Sequence, residues 1–388
     1  MPLSGKPRLI REINRTLILD VLRTEGPLSR AALAARTGVS APAISRVVAD
    51  LLESGWIREV GTGESTGGRR PVLLAVNPEA GFLVGLDVRR QALLGAVTNL
   101  EGRVVVRDRE PVRRRGPALL DQVVAFARML VERAGIPRER LLGVGAAVTG
   151  VSRDDGTVTH SPGLDWADVP LGATLAAALG CPAYVENDVN ALLLGEQWQG
   201  AAVGARDAAA ILVGTGGVGA AVLVGGHLYT GRSGEAGEIG SWLVGPPATA
   251  EPLEDVAAVM AWVRRWGAAD LDPVEERSVE ALLAALQAGD PKARAILDGV
   301  LPYLAQATAN LVTLLNPELV VLGGEVLAVA DRVVPQLQAA VDRHCPSPAP
   351  VVPARLGDLS ALLGVVRGFL DRQRNSVTFV RHEGRRTL

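Results

Sequence analysis

Ser29-Arg30-Ala31-Ala32-Leu33-Ala34-Ala35-Arg36-Thr37-Gly38-Val39-Ser40-Ala41-Pro42-Ala43-Ile44-Ser45-Arg46-Val47-Val48 carries two short helical patterns separated by a tight turn. Ser29 is placed to cap the first, which carries Ala32, Leu33 and Ala35 and runs through Arg36. A serine oxygen there accepts from a backbone N–H that the first helical turn leaves open. Thr37-Gly38-Val39-Ser40 reads as the turn, and Ser40 is expected to cap the second helix. In that helix Ile44, Val47, Val48, Leu51 and Leu52 share one face, and Gly55 closes it. Upstream, Ile10, Ile13, Leu17, Ile18, Val21 and Leu22 recur at helical spacing until Gly26-Pro27.

Two helices joined by a short glycine-containing turn form a helix-turn-helix. The second helix would turn Ser40, Ala41, Ala43, Ser45 and Arg46 outward at its N-terminal end, the part that meets base edges in a major groove. A wing follows: a strand over 56–60, a loop over 61–70 and a returning strand over 71–76. Its tip, Gly67-Gly68-Arg69-Arg70-Pro71, is doubly cationic and suits a narrow, electronegative minor groove. Arg69 and Arg70 as solvated loop charges on a small packing module is the plainer alternative. The order of caps, turn, wing and basic tip favours a double-stranded DNA partner. Residues 1–80 hold 11 Lys+Arg against 8 Asp+Glu, while the whole chain is at −2, so the basic excess lies at this end.

The remaining 310 or so residues are apolar and aromatic-poor, at 48% hydrophobic and 3% aromatic for the chain, as in a large α/β protein packed with Ala, Val and Leu. Cys181 and Cys345 lie far apart and outside any Cys-x-x-Cys spacing, which leaves no disulfide framework and no zinc signature. Neither a signal peptide nor an uninterrupted apolar run of about 18 residues is present, so a cytoplasmic location is expected and no membrane partner. From Gly81 strands alternate with helices. Strands are expected over 82–88, 93–98, 142–148, 183–185, 208–213, 220–224 and 319–322, with helices over 117–134, 171–179, 188–197 and 301–315. The last would carry Pro302 in its first turn. Such alternation implies α/β layers, in two lobes with a cleft between them.

Several motifs fall at strand ends. Glu186-Asn187-Asp188-Val189-Asn190 stands where a strand runs into a helix, so its carboxylates and amides face the crevice where α/β proteins bind ligands. A helix cap by Asn187 or Asp188 is the structural alternative. Gly214-Thr215-Gly216-Gly217-Val218-Gly219 is a strand-turn-strand whose bare backbone a phosphate can approach. Gly231 through Gly240 is a second Gly-rich loop with Glu235 and Glu238, and Glu254 follows. Acids so spaced suit a polyol, because one carboxylate accepts from neighbouring hydroxyls; a solvated acidic loop is the alternative.

These pieces together resemble the ROK family (repressors, open reading frames and kinases), and within it the helix-turn-helix regulators. The likeness runs from Gly-Gly-Arg-Arg-Pro (67–71) through Gly143-Val144-Gly145, Ser161-Pro162-Gly163-Leu164-Asp165-Trp166, 186–196 and 214–240. It continues to Asn316-Pro317-Glu318-Leu319-Val320-Val321-Leu322-Gly323-Gly324 and 356–364. The resemblance implies a winged helix-turn-helix over 1–78 followed by a two-lobed, actin-like, sugar kinase-like α/β domain over 79–388. Lobe one would take 79–187 and a closing helix over 358–372; lobe two, 188–357. It implies a sugar or sugar-derivative effector held by Asn187, Asp188, Glu238 and Glu254, an operator as DNA partner, and a homodimer or homotetramer. In kinase members the acid matching Asp188 is the general base for the attacking sugar hydroxyl.

The chain departs from that pattern in three places. Kinase members carry Asp-x-Gly-x-Thr where this chain has Asp87-Val88-Arg89-Arg90-Gln91, which puts guanidinium groups where phosphates would meet bare backbone. Ser241 stands at a usual His, and 242–252 lacks the family's Cys-rich run, so no structural metal is expected. Gly163 replaces a common Asn. The expectation is a sugar-responsive transcription regulator, a repressor, without phosphoryl transfer, with Asp188 a vestigial base and no cofactor. An active sugar kinase with an appended head, or a ligand-independent regulator with a decayed pocket, are the alternatives.

Overall fold

The computed structural model describes residues 6–63, 70–267 and 276–375. Helix α1 (Lys6–Glu25) packs Ile18 and Leu22 against α2 (Arg30–Thr37) and α3 (Ala41–Glu53), whose Leu33, Ile44, Val47, Val48 and Leu51 complete a small core. The Ser29 hydroxyl accepts from the Ala32 N–H at 3.2 Å, and Gly38 takes the left-handed conformation (φ 68°) that ends α2. Ser40 departs from expectation: it stands at the N-cap of α3 but its side chain makes no capping bond. Pro42 follows at the second helical position and has no N–H to offer, which removes half of the usual capping targets. The wing is β2 (Ile57–Thr62) paired antiparallel with β3 (Val72–Val76), and a two-residue β1 (Leu28–Ser29) adds to the other side of β3. That short strand is not legible in the sequence because two residues carry no periodicity.

Behind the head, β4 (Phe82–Val88), β5 (Ala92–Asn99), β6 (Val104–Pro111), β7 (Leu141–Val148) and β11 (Ala183–Asn187) form one sheet in the order β11-β7-β4-β5-β6. Helices α4 (Pro117–Ala134) and α5 (Leu171–Leu179) cover one face, and a small sheet of β8 (Val151–Ser152), β9 (Val158–Ser161) and β10 (Trp166–Val169) lies at its end. After α6 (Asp188–Gln199) comes a second five-stranded sheet: β12 (Ala208–Gly214), β13 (Gly217–Val224), β14 (His227–Leu228), β17 (Leu319–Gly323) and β18 (Val351–Pro353), ordered β14-β13-β12-β17-β18. Both sheets therefore read third-second-first-fourth-fifth in their own strand order. In each, the first strand pairs antiparallel with the second and parallel with the fourth. This is the two-lobed, actin-like architecture, with one topological pattern used twice.

The second lobe is completed by a hairpin of β15 (Leu243–Val244) and β16 (Glu251–Pro252), by α7 (Leu253–Ala257), α8 (Val259–Trp266), α9 (Glu276–Ala288) and α10 (Pro291–Leu315), and by α11 (Ala330–His344). Helix α10 begins ten residues before the expected start, so Pro302 sits in its interior. Asp290 caps it through the Ala293 N–H at 2.8 Å, and the carbonyl that Pro302 leaves unmatched belongs to solvent-facing Asp298. Strand β6 lies outside the expected set; its alternation of half-buried and exposed residues is that of a sheet edge. Helix α12 (Leu359–Asn375) returns to lie against α6 between the sheets. Gly195 and Gly364 allow this, since a Cβ on Gly364 would collide with the Ala191 carbonyl oxygen and one on Gly195 with that of Ser360.

Candidate functional site

The head presents its outer α3 surface freely. Ser40, Ala41, Ser45 and Arg46 are exposed and Ala43 is half-buried, while Ile44, Val47 and Val48 point into the core. Only small side chains and one guanidinium thus stand at the N-terminal end of the helix, a shape that lets the backbone approach a groove closely. Arg70 is exposed at the base of β3; Arg69 lies outside the described residues, as do Gly67 and Gly68.

A cavity of about 290 Å³ opens between the two sheets, lined by Asp87, Arg89, Arg90, Thr149, Asp188, Gly214, Thr215, Gly216, Glu325 and Asp358 among others. The positions follow from topology. Asp87 is at the C-terminal end of β4, Thr149 just past β7, Asp188 just past β11, Thr215 just past β12 and Glu325 just past β17. Each is thus delivered by the carboxyl end of a parallel strand, where open α/β sheets bind ligands.

Asp188 is half-buried. Its carboxylate accepts from the Thr149 hydroxyl at 3.1 Å and from the Val189 N–H at 2.9 Å. Burial, reinforced by the neighbouring Asp87 charge, pushes its pKa up to about 7 despite those hydrogen bonds. A carboxyl held near neutrality can accept a sugar hydroxyl proton or donate to one.

Asn187 is turned to backbone on both ends of its amide. Its Oδ1 accepts from the Val189 and Asn190 N–H groups, and its Nδ2 donates to the Gly150 carbonyl at 3.0 Å. It caps α6 and steadies the loop after β7.

Glu254 stands beside the glycine turn and Glu238 near Glu254, but neither lines the cavity that holds Asp188. A Cβ built on Gly216 would lie 2.8 Å from Thr149, the partner of Asp188, and one on Gly217 would lie 3.2 Å from the Glu254 carboxylate. Partial burial, with the nearby charges of Glu254 and Glu235, raises the pKa of Glu238, although both acids keep access to solvent. Asp188, through Thr149, and Glu254 therefore approach one glycine turn from two sides, while Asp188 alone of the four predicted ligand residues lines the cavity.

The turn after β4 is crowded with charge. Arg89 donates from Nε to Asp87 at 2.7 Å and from Nη1 to Asp358 at 3.1 Å, and Asp358 also pairs with Arg107 at 3.1 Å. Burial raises the Asp87 carboxyl, partly offset by Arg89. For Arg89 burial works against the charge, but Asp87, Glu325 and Asp358 outweigh it, so the guanidinium pKa lies above its ordinary value. Arg115 donates to the carbonyls of Arg90 and Gly163, tying the same turn to the loop after β9.

Asp358, Glu325, Thr149 and Arg115 are not singled out by the sequence. Only Thr149 carries a usable signal, as a polar residue directly after a buried strand. Among the described residues no group of three or more His, Cys, Asp or Glu is arranged to hold a metal, and no helix is long and apolar enough to cross a membrane.

Residues 83–371 match the model of the ROK family, and residues 12–70 match that of the MarR family. The chain is 26% identical over 359 residues to the xylose repressor of Caldicellulosiruptor bescii, covering 88% of this chain and 90% of the relative. The fold superposes on a ROK family transcriptional regulator, a homologue of the Escherichia coli MLC protein, with TM-score 0.78, 22% identity, and coverage of 96% and 99%. It also superposes on a ROK family glucokinase from Streptomyces griseus in complex with glucose and AMPPNP, with TM-score 0.64, 26% identity, and coverage of 76% and 100%. A match across this much of the body, with the same two-lobed fold behind a winged head, means that the chain belongs to the ROK family.

Proposed function

We propose that this chain is a sugar-responsive, DNA-binding transcription regulator, a repressor, whose cleft keeps a sugar seat and has given up phosphoryl transfer. The observation that carries the reading is the Asp87–Arg89–Asp358 network, which places the chain's own charges at the first phosphate turn, in the same cavity that Asp188 lines. A guanidinium already paired with two carboxylates leaves no bare backbone for a nucleotide phosphate. The head supplies the output: Arg46 and Arg70, with Arg69 beside it in sequence, face an operator, and Ser40, Ala41, Ala43 and Ser45 let α3 into its major groove. One α3 per chain reads one half-site, so a homodimer or homotetramer reads the pseudo-palindrome. The division of labour is a head over 1–78 and a two-lobed body over 79–388.

The effector is a sugar or sugar derivative bound by Asp188, Glu238 and Glu254, and the relative named as a xylose repressor makes D-xylose the first to test. Helix α12 connects the sites: Asp358 and Ser360 at its start belong to the cleft, and Asp371 near its end pairs with Arg23 of α1 at 3.5 Å. A ligand shifts operator affinity only by its differential affinity for two arrangements of the lobes. The test is operator binding with and without each of a panel of sugars. Asp188→Ala should bind the operator like wild type and lose the response; a response at the wild-type sugar concentration would overturn the pocket.

A second reading, an active kinase with an appended head, draws on Asp188 having the pKa of a working base and on the likeness to a glucokinase. Nucleotide turnover across the same panel distinguishes the two, since the proposed regulator gives none above background.

A further inference from the structure

The Gly214-Thr215-Gly216 turn has the makings of an anion seat: it follows β12, beside the end of parallel β17, and its backbone carries no bulk. Something anionic is already there. Glu325, two residues past the end of β17, accepts from the Thr215 N–H at 3.2 Å with one carboxylate oxygen and from the Thr215 hydroxyl at 3.1 Å with the other. The same carboxylate lies so close to Gly214 that a Cβ there would collide with it. Thr215 is itself buried, at 8% exposure, so the two donors sit in a poorly hydrated corner, where an unmet N–H is costly. Facing this carboxylate across the cavity is the Arg89 guanidinium.

We infer that Glu325 is a tethered stand-in for a phosphate group, so that the glycine turn of lobe two is a working oxyanion site kept filled by the chain's own carboxylate. Four features agree with a phosphate's place in such a turn: a backbone N–H donor, a hydroxyl donor, close approach to glycine backbone and a cation opposite. Two separate changes thus put the chain's own charges into both turns of the cleft. Arg89 fills the turn of lobe one with positive charge, and Glu325 fills the turn of lobe two with negative charge. The inference rests on the reading that the cleft has given up its nucleotide, and adds that Glu325 is the group that keeps the second turn from a phosphate.

The experiment uses the full-length chain and inorganic pyrophosphate as probe. Wild type, Glu325→Gln and Glu325→Gly are titrated by calorimetry and melted with and without pyrophosphate. The difference from wild type is read, which cancels binding to the cationic head common to all three. Glu325→Gly should bind pyrophosphate about tenfold or more tightly than wild type, the size of one charge-assisted hydrogen bond regained. At roughly ten times its Kd the ligand should raise Tm by about 1–2 °C over the wild-type shift.

Glu325→Gln keeps the volume and one acceptor but no charge, so it should fall between the two; should the Gly variant fail to fold, its gain over wild type carries the test. Equal affinity in all three chains would overturn the inference, as would weaker binding in the variants. Wild type that binds and turns over ATP would instead sink the loss of phosphoryl transfer, so the two failures are distinguishable.

Discussion

Replacing Asp188 by Asn tests the electrostatics of the cleft without knowledge of the sugar. Asp188 is an acid whose pKa in the folded chain, about 7, lies well above the ordinary aspartate range. An acid raised in this way binds its proton more tightly in the folded state, so its contribution favours folding at low pH and is lost as pH rises through about 7. At pH 8 the folded chain holds an ionised carboxylate that it would rather not hold. A tenfold change in proton affinity corresponds to about 1.4 kcal/mol, and a rise from about 4 to about 7 is a roughly thousandfold change, so the penalty is on the order of 4 kcal/mol. Asn keeps the acceptor for the Val189 N–H and can donate to the Thr149 hydroxyl, which rotates to accept. Asp188→Asn should therefore melt higher than wild type at pH 8, by roughly 2–4 kcal/mol once imperfect amide geometry is allowed for. Between pH 8 and pH 5 that advantage should shrink by about 2–3 kcal/mol, because the wild-type carboxyl takes up its proton across this window. Chemical denaturation of both chains at pH 5, 6, 7 and 8 measures it. A difference that stays flat between pH 5 and pH 8 refutes the raised pKa, and with it the argument that Asp188 is poised near neutrality.

Other consequences are simpler to state. Arg70→Ala combined with Arg69→Ala should weaken operator binding and flatten its salt dependence by about one unit of slope per lost phosphate contact; an unchanged slope places the wing off the DNA. Arg89→Met should destabilise the chain by about 2–4 kcal/mol, since Asp87, 2% exposed, is left without its charged partner, and equilibrium unfolding reads the loss. Gly364→Ala should cost about 1–3 kcal/mol or more and lower Tm, because the new methyl meets the Ala191 carbonyl; stability equal to wild type would mean that α6 and α12 are not held at this distance. Asp371→Ala should leave both operator affinity and sugar affinity close to wild type and reduce the effect of sugar on operator binding.

What can be read from the chain, and what cannot, divides along physical lines. Leu33, Ile44, Val47, Val48 and Leu51 mark the head because helical spacing of apolar residues is a local property, and all five are buried. The motif ends at Asp188, Thr215 and Gly324 are legible because a strand's carboxyl end is marked by the change from apolar to polar or glycine. Asp358 and Glu325 are not. Asp358 meets Arg89 across 269 positions of sequence, and Glu325 meets Thr215 across 110. No periodicity encodes such pairs: Thr215 and Glu325 meet because β12 and β17 are neighbouring parallel strands of one sheet, and Asp358 reaches Arg89 from the start of α12. Asn187 shows the opposite limit: sequence offers it both as a ligand contact and as a helix cap, and only coordinates show its amide turned to the backbone.

Glu196 makes the case that the cleft and α12 act as one body. It is fully buried, yet its carboxylate accepts from four donors: the N–H groups of Ala201, Arg355 and Leu356, at 2.6, 3.0 and 2.9 Å, and the Ser360 hydroxyl at 2.7 Å. Three of the four lie in the segment that runs from β18 into α12, so one side chain of α6 clasps the start of the helix that ends beside the head. An acceptor-only group suits this place because every neighbour is a donor. Glu196→Gln turns an amide NH₂ toward those N–H groups, leaving at least one donor unmet in a dry interior, at a cost of about 2–4 kcal/mol. The consequence reaches further than stability. If the clasp fixes the register of α12 against α6, loosening it frees Asp358 from its position against Arg89, and the sugar cleft and the Asp371–Arg23 contact become independent. Glu196→Gln should then retain operator binding and lose the sugar response together with stability. A variant that is less stable but responds to sugar as fully as wild type would show that the signal does not pass through this helix.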